Sequence, residues 1–178
     1  MAGNGIDVPI GPATVEFGSE NPTIFNITSG GIVFSATTNT QDVTVDQYGD
    51  APVKRIIRGG SASVTVPFAL HDLDKLAAAM PNAELITDAT DPNKKKLIVK
   101  AQAGQNLLDS ADKLVIKPTD PQATPNDYIT IPMAGCIVDP ELTYNTETAR
   151  VYNVTFTAFP DITDGTLYIL GDETASAS

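Results

Sequence analysis

The sequence predicts a single, mainly β domain carrying one short helix. Three observations lead there. Gly and Pro are frequent at 13 residues each and Trp is absent, a mix that suits short strands joined by turns. Several segments alternate apolar and polar residues with the period of two that marks a half-buried strand. Only one segment places its apolar residues at helical spacing. A chain of 178 residues fits one domain and buries roughly 70% of the surface its unfolded form exposes, so it needs no disulfide or metal to be stable.

Residues 1–12 are rich in Gly and Pro with little periodicity and read as a flexible arm that orders, if at all, against a neighbour. The β domain is expected over 13–170. Strands are predicted at 13–17 and 23–28, followed by the turn Ser29-Gly30-Gly31 and renewed extended structure at 32–36. Val43 and Val45 then alternate with Asp42, Thr44 and Asp46, which predicts a strand with one polar face. Tyr48-Gly49-Asp50-Ala51-Pro52 breaks that pattern. After Gly59-Gly60, Val64, Val66 and Phe68 share a face opposite Ser63 and Thr65. Residues 46–60 are thus expected to be a loop between two amphipathic strands.

A helix is predicted at about residues 71–80, where Leu70, Leu73, Leu76, Ala77 and Met80 recur at helical spacing and Pro81 stops the run. Strands at 84–87 and 96–101 bracket the turn-rich DATDPNKK. Leu107, Leu108 and Ala111 suggest a helical turn before a strand at 114–117. Residues 118–127, with three Pro, read as an exposed loop. Strands follow at 128–133, at 136–144 with a kink at Pro140, and at 150–159, the last two forming a hairpin across 145–149. A short strand at 167–170 precedes a small polar tail, 171–178, expected to be disordered. No internal repeat or domain boundary is evident.

Charge and motifs exclude more than they identify. Asp and Glu outnumber Lys and Arg by 22 to 11, a formal net charge of −11. A protein gripping nucleic acid by its phosphates shows the opposite balance. The lone Cys136 has no partner within the chain, which predicts folding in a reducing compartment. The opening segment lacks the basic and apolar regions of a signal peptide, and no run approaches the ~20 apolar residues of a membrane helix. Synthesis in a cytoplasm, away from membranes, is therefore expected.

No enzymatic constellation emerges. His71, the only histidine, reads as a helix-terminus or surface residue, and no Ser sits in a nucleophile elbow. Cys136 lies in an apolar strand and reads as a buried, inert thiol. Asp88, Asp91 and Asn93 lack the spacing of a calcium loop and read as an Asx-rich turn. Lys94-Lys95-Lys96 is too short for a nucleic-acid patch. No catalytic, metal-binding or cofactor-binding residue is assigned, and no cofactor is expected.

Three segments resemble the tail tube (major tail) proteins of long-tailed, non-contractile bacteriophages. They are VTVDQYGDAPVKRIIRGGSASVTVPFAL with the helix HDLDKLAAAMP, then GQNLLDSADKLVIKP, then RVYNVTFTAFPDITDGTLYILGD. Their order, their spacing and the chain length carry the resemblance. It implies a β-sandwich or partial barrel with the helix at its flank and no enzymatic activity. It implies hexameric rings, stacked into a tube whose inner wall is one continuous β-barrel. Partners would be other copies of the chain, a tape-measure protein in the lumen, and tail terminator and tail-tip proteins at the ends. Double-stranded DNA would pass without specific binding, and the location would be the virion.

In that setting the polar strand faces are expected to line the lumen: Asp42, Thr44, Asp46, Ser63, Thr65, Asp139, Glu141, Thr143, Asn153, Thr155 and Thr157. Residues 46–60, with Tyr48, Asp50, Lys54, Arg55 and Arg58, are expected to contact the next ring. The alternatives are another virion structural subunit (tail terminator, tail-tip or capsid decoration protein) or a β-sandwich binding module, although exposed aromatic clusters typical of such modules are missing.

Overall fold

The computed structural model describes residues 10–101 and 103–176. The expected arm at 1–12 falls mostly outside these residues, as do the last two residues of the expected tail. The chain is mainly β with one α-helix. Its strands are β1 (Ala13–Phe17), β2 (Thr23–Phe25), β3 (Val33–Thr44), β4 (Pro52–Phe68), β5 (Ala83–Thr87), β6 (Lys95–Val99), β7 (Asp112–Pro118), β8 (Ile129–Glu141), β9 (Val151–Phe159) and β10 (Ile169–Leu170), and its helix is α1 (Leu73–Ala79).

One antiparallel sheet runs in the order β2-β1-β7-β8-β9-β4-β3, with β10 added on β8, while β5 and β6 form a separate hairpin. The large sheet curls back on itself. Just past β2, Thr28 bridges Phe68 at the end of β4, and the Ser29 and Ala69 amides donate to the Pro67 and Ile27 carbonyls at 3.0 and 2.9 Å. Six strands thereby enclose one core as a partial barrel.

The alternation of β4 and β9 explains why the core lies where it does. Ala62, Val64, Val66 and Phe68 from β4 and Tyr152, Val154, Phe156 and Ala158 from β9 are all buried. Strand pleating sends their neighbours outward. Phe156 is the hub: its ring lies 5.1 Å from Phe17 and 6.0 Å from Phe25, and Phe25 meets Phe68 edge-on at 5.1 Å. These tilted and edge-on contacts join strands that are not sheet neighbours, so they hold the two walls of the barrel together.

The helix is shorter than the pattern predicts. Asp72 caps it by accepting from the Asp74 and Lys75 amides, so the preceding residues, Leu70 and His71, lie outside it. Leu76, Ala79 and Met80 enter the common core, while Leu70 is 40% exposed. Leu73 and Ala77 of the expected stripe are half-buried, so the stripe turns inward with Ala79 added to it, and α1 packs against β2, β5, β6 and β8 together.

Two other expectations change. The strands expected at 128–133 and 136–144 are one continuous β8, paired with β9 from Met133↔Phe159 to Glu141↔Val151. Residues 46–60 are not a loop: 52–60 belong to β4 and pair with β3. Gly59-Gly60 looks like a turn but is a bulge, where one residue of β3, Asn39, faces two of β4, Arg58 and Gly59. Gly59 has φ +97°, and a Cβ on Gly60 would sit 3.0 Å from the Thr37 carbonyl oxygen. Only glycine fits that combination without strain.

At the other end of the chain, 171–176 turns across β7 and β8. The Gly171 amide donates to the Tyr128 carbonyl at 2.9 Å, and Glu173 pairs with Lys113.

Candidate functional site

Two features stand out from the barrel. The first is the outward face of β8, β9, β4 and β3. Registry places Asp139, Asn153 and Pro67 in one row across it, and Ile137, Thr155, Thr65 and Val33 in the next. Gly135, Thr157, Ser63 and Ser35 form a third. Glu141 continues the β8 side of this face. Across these rows the face mixes hydroxyl and amide groups with the apolar Val33, Pro67 and Ile137, ends in carboxylates and holds no Lys or Arg. Along the arm, by contrast, the same side of the ribbon carries Gln41 with its partner Arg58 and Val43 with its partner Lys54. Six residues expected to act together, Ser63, Thr65, Asp139, Asn153, Thr155 and Thr157, are therefore brought onto one surface.

Both margins of this face are strand edges. Among the described residues β3 pairs only with β4, and Ile137–Glu141 of β8 have no strand on the side away from β9, since β7 leaves β8 at Ala134. An unpaired row of backbone donors and acceptors is a template for another strand. The two free edges are staggered along the strand direction, Ile137 lying level with Val33 while Asp139 and Glu141 run past the start of β3.

The second feature is the far half of the β3–β4 hairpin. From Thr37 to Ser61 nearly every residue is exposed on both faces, Val43 being half-buried. The paired ribbon extends roughly 17 Å past the bulge at the usual rise per strand residue, with the tip beyond it. A lone two-stranded ribbon is marginal in water, yet this one carries apolar side chains in the open: Val53 is 49%, Ile56 42% and Ile57 70% exposed. Its tip holds a single 3₁₀ turn, Asp46–Tyr48, with Tyr48 69% exposed.

The remaining expected residues are distributed differently from the pattern reading. Asp42 and Thr44 lie on the arm, and by alternation they continue the side of β3 that carries Phe34, opposite to Ser35 and its row. Asp42 is bound by Arg55 in a two-point ion pair. The Arg55 hydrogen bond holds the Asp42 carboxyl below the usual carboxylate range. Asp46 and Asp50 are at the tip, and Thr143 is in the exposed loop after β8. Of the expected ring-contact cations, Arg55 is thus engaged within the arm, and Arg58 donates to Gln41 Oε1 at 2.8 Å. Lys54 pairs across the ribbon with Val43 by backbone only.

Elsewhere the groups singled out in the sequence have structural partners. Cys136 is buried, and burial pushes its thiol far up from the ordinary range. Asp88 Oδ1 accepts from the Thr90 and Asp91 amides and Asp91 Oδ1 from Asn93, as Asx turns do. Lys95 binds Asp74 at 2.6 Å. Among the described residues no three His, Cys, Asp or Glu side chains are grouped to hold a metal, and no helix is long and apolar enough to cross a membrane.

Pattern reading passed over one cluster, at the barrel end remote from the arm. His71 Nδ1 and the Tyr152 hydroxyl are hydrogen-bonded at 2.5 Å, and the Arg150 guanidinium stacks 4.4 Å from the centre of the Tyr144 ring. With Ala69 they line a cavity of about 390 Å³. The signal lay in aromatic and basic residues on either side of a turn, which no periodicity picks out.

A scan against protein-family models finds no match for the chain, and a search of curated proteins finds no significantly similar sequence.

Proposed function

We propose that the chain is a structural subunit of a long-tailed bacteriophage tail tube, assembled as hexameric rings stacked around a central channel. One observation carries the reading: a hydroxyl-rich face on four strands, without Lys or Arg where it covers the barrel, bounded by a free strand edge on each side. In a ring, the free edge of β3 in one subunit pairs with the free edge of β8 in the next. The four-stranded faces then join into one continuous inner barrel, and the polar face lines it.

That lining suits passage of DNA. A duplex carries one negative charge per roughly 1.7 Å, and each Lys or Arg at the wall would add a salt-dependent attachment repeated in every ring. Hydroxyls and amides stay wetted without gripping phosphate, and Asp139 and Glu141 repel it. On this reading Asp42 and Thr44 leave the lining and belong to the arm, which bridges to the adjacent ring. A tape-measure protein during assembly and terminator and tip proteins at the ends are the partners such a tube requires.

Negative-stain microscopy of the purified protein tests the proposal directly. Stacked rings with a central channel are expected; a stable monomer or isolated trimer at high concentration would overturn it.

A further inference from the structure

The arm tip and the aromatic cavity lie at opposite ends of the same strand. β4 starts at Pro52 beside the tip and finishes at Phe68, which pairs with Tyr152; Ala69 and His71 follow and line the cavity. Within one subunit the two cannot meet. In a head-to-tail stack the tip of one copy arrives at the cavity end of the next.

Their chemistry is complementary. The tip, 45–51, carries two carboxylates, Asp46 and Asp50, and the exposed Tyr48, and no cation. No ion pair engages either carboxylate among the described residues. The cavity has two phenol rings, an imidazole, one guanidinium and no carboxylate in its lining; Glu147 sits in the same loop but lines no part of it. The Arg150 guanidinium rests on the exposed Tyr144 ring, which leaves its edge N–H groups for a carboxylate. Tyr and Arg in a concave site are the side chains that most often anchor an interface.

We infer that the cavity formed by His71, Tyr144, Arg150 and Tyr152 is the receptor for the hairpin tip of a second copy of this chain. Asp46 or Asp50 reaches Arg150, and Tyr48 lies against the Tyr144 and Tyr152 rings. The inference rests on the tube reading for its biological setting, and it assigns the contact to the tip rather than to the cations of the ribbon. The arm engages through its acidic tip, because Arg55 and Arg58 are already bound within the ribbon. A contact joining one end of a subunit to the opposite end of the next is heterologous and does not close, so it propagates along an axis.

The test uses the full chain with Gln47→Cys at the tip and Thr143→Cys beside the cavity; the native Cys136 is buried. A short bifunctional maleimide should give a ladder of cross-linked oligomers with the double variant and none with either single variant. Adding Arg150→Glu should abolish the ladder while the thermal midpoint stays unchanged. Adding Asp46→Arg and Asp50→Arg to that variant should restore it. Tubes by microscopy without a ladder would overturn the receptor and leave the tube reading standing. A ladder without tubes would keep the receptor and remove the tube reading. Absence of both would overturn both.

Discussion

Asp42 and Arg55 face each other across the β3–β4 ribbon and are joined twice, Nε to Oδ1 at 2.5 Å and Nη2 to Oδ2 at 2.9 Å. The sequence assigns one to a channel lining and the other to a contact between rings. Joined, they serve a third purpose: they fasten an exposed ribbon that has no core of its own. Both are solvent-exposed, so the pair steadies the arm without adding measurably to the stability of the barrel.

That pairing has a pH signature. The Asp42 pKa is lowered by Arg55 in the folded state, so its stabilising contribution is present above the unfolded carboxyl pKa, near 3.9, and is lost as pH falls through the lower folded value. Hydrogen exchange of the arm amides should accelerate in that acid range while β9 stays protected. Asp42→Asn should accelerate exchange of the same amides already at neutral pH. Unchanged arm protection in the variant would show that the ribbon is held by something else.

Phe156 is the point where three elements meet, and truncating it should cost the barrel more than any change on the arm. Phe156→Ala is expected to lower unfolding free energy by about 3–5 kcal/mol, measured by urea denaturation. A loss well under 1 kcal/mol would mean that the Phe17, Phe25 and Phe68 rings close the gap without it.

Gly135 sits where β8 passes under the 3₁₀ turn Leu107–Ser110. A Cβ there would meet the Phe159 ring at 2.6 Å and the Leu107 carbonyl oxygen at 3.2 Å. Gly135→Ala should destabilise by about 1–3 kcal/mol through overpacking. The neighbouring exposed substitution Thr157→Ala should be close to neutral, which separates the steric effect from a general weakness of β8 and β9.

Thr65 and Thr155 are paired neighbours at the middle of the outward polar face. If that face lines a channel, Thr65→Lys with Thr155→Lys should leave subunit folding intact and make the assembled tubes retain DNA, with retention falling as salt rises. DNA delivery by particles carrying these tubes should drop. Tubes that form normally and release DNA as the unmodified ones do would place this face away from the lumen.

How much of this was legible depends on burial. The strands at 61–68 and 151–159 could be read residue by residue, because each presents one face to the core and alternation follows directly. Cys136 could be read as buried for the same reason. The arm could be read only in part: the alternation at 42–46 marked a strand, but with both faces exposed it did not say which face belongs to what, and Gly59-Gly60 has the composition of a turn. The continuity of β8 through Ala134-Gly135 was also hidden, since a glycine inside a strand pattern marks a break as readily as a continuation. Met133–Glu141 nevertheless pairs with β9 without interruption.

The sequence by itself determined the class of the fold, the polar chemistry of the strand faces and the absence of any periodic long helix, since these follow from side-chain type and local spacing. Only the tertiary structure decided which polar residues share a surface. The pairing of Ser35 with Ser63 and the alternation along β3 put Asp42 and Thr44 on the side opposite Ser63 and Thr65, and the β4–β9–β8 registry gathered Thr65, Thr155 and Asn153 from distant parts of the chain. Register is a long-range property set by hydrogen-bond pairing and core packing, and a shift of one residue would exchange the two faces of a strand.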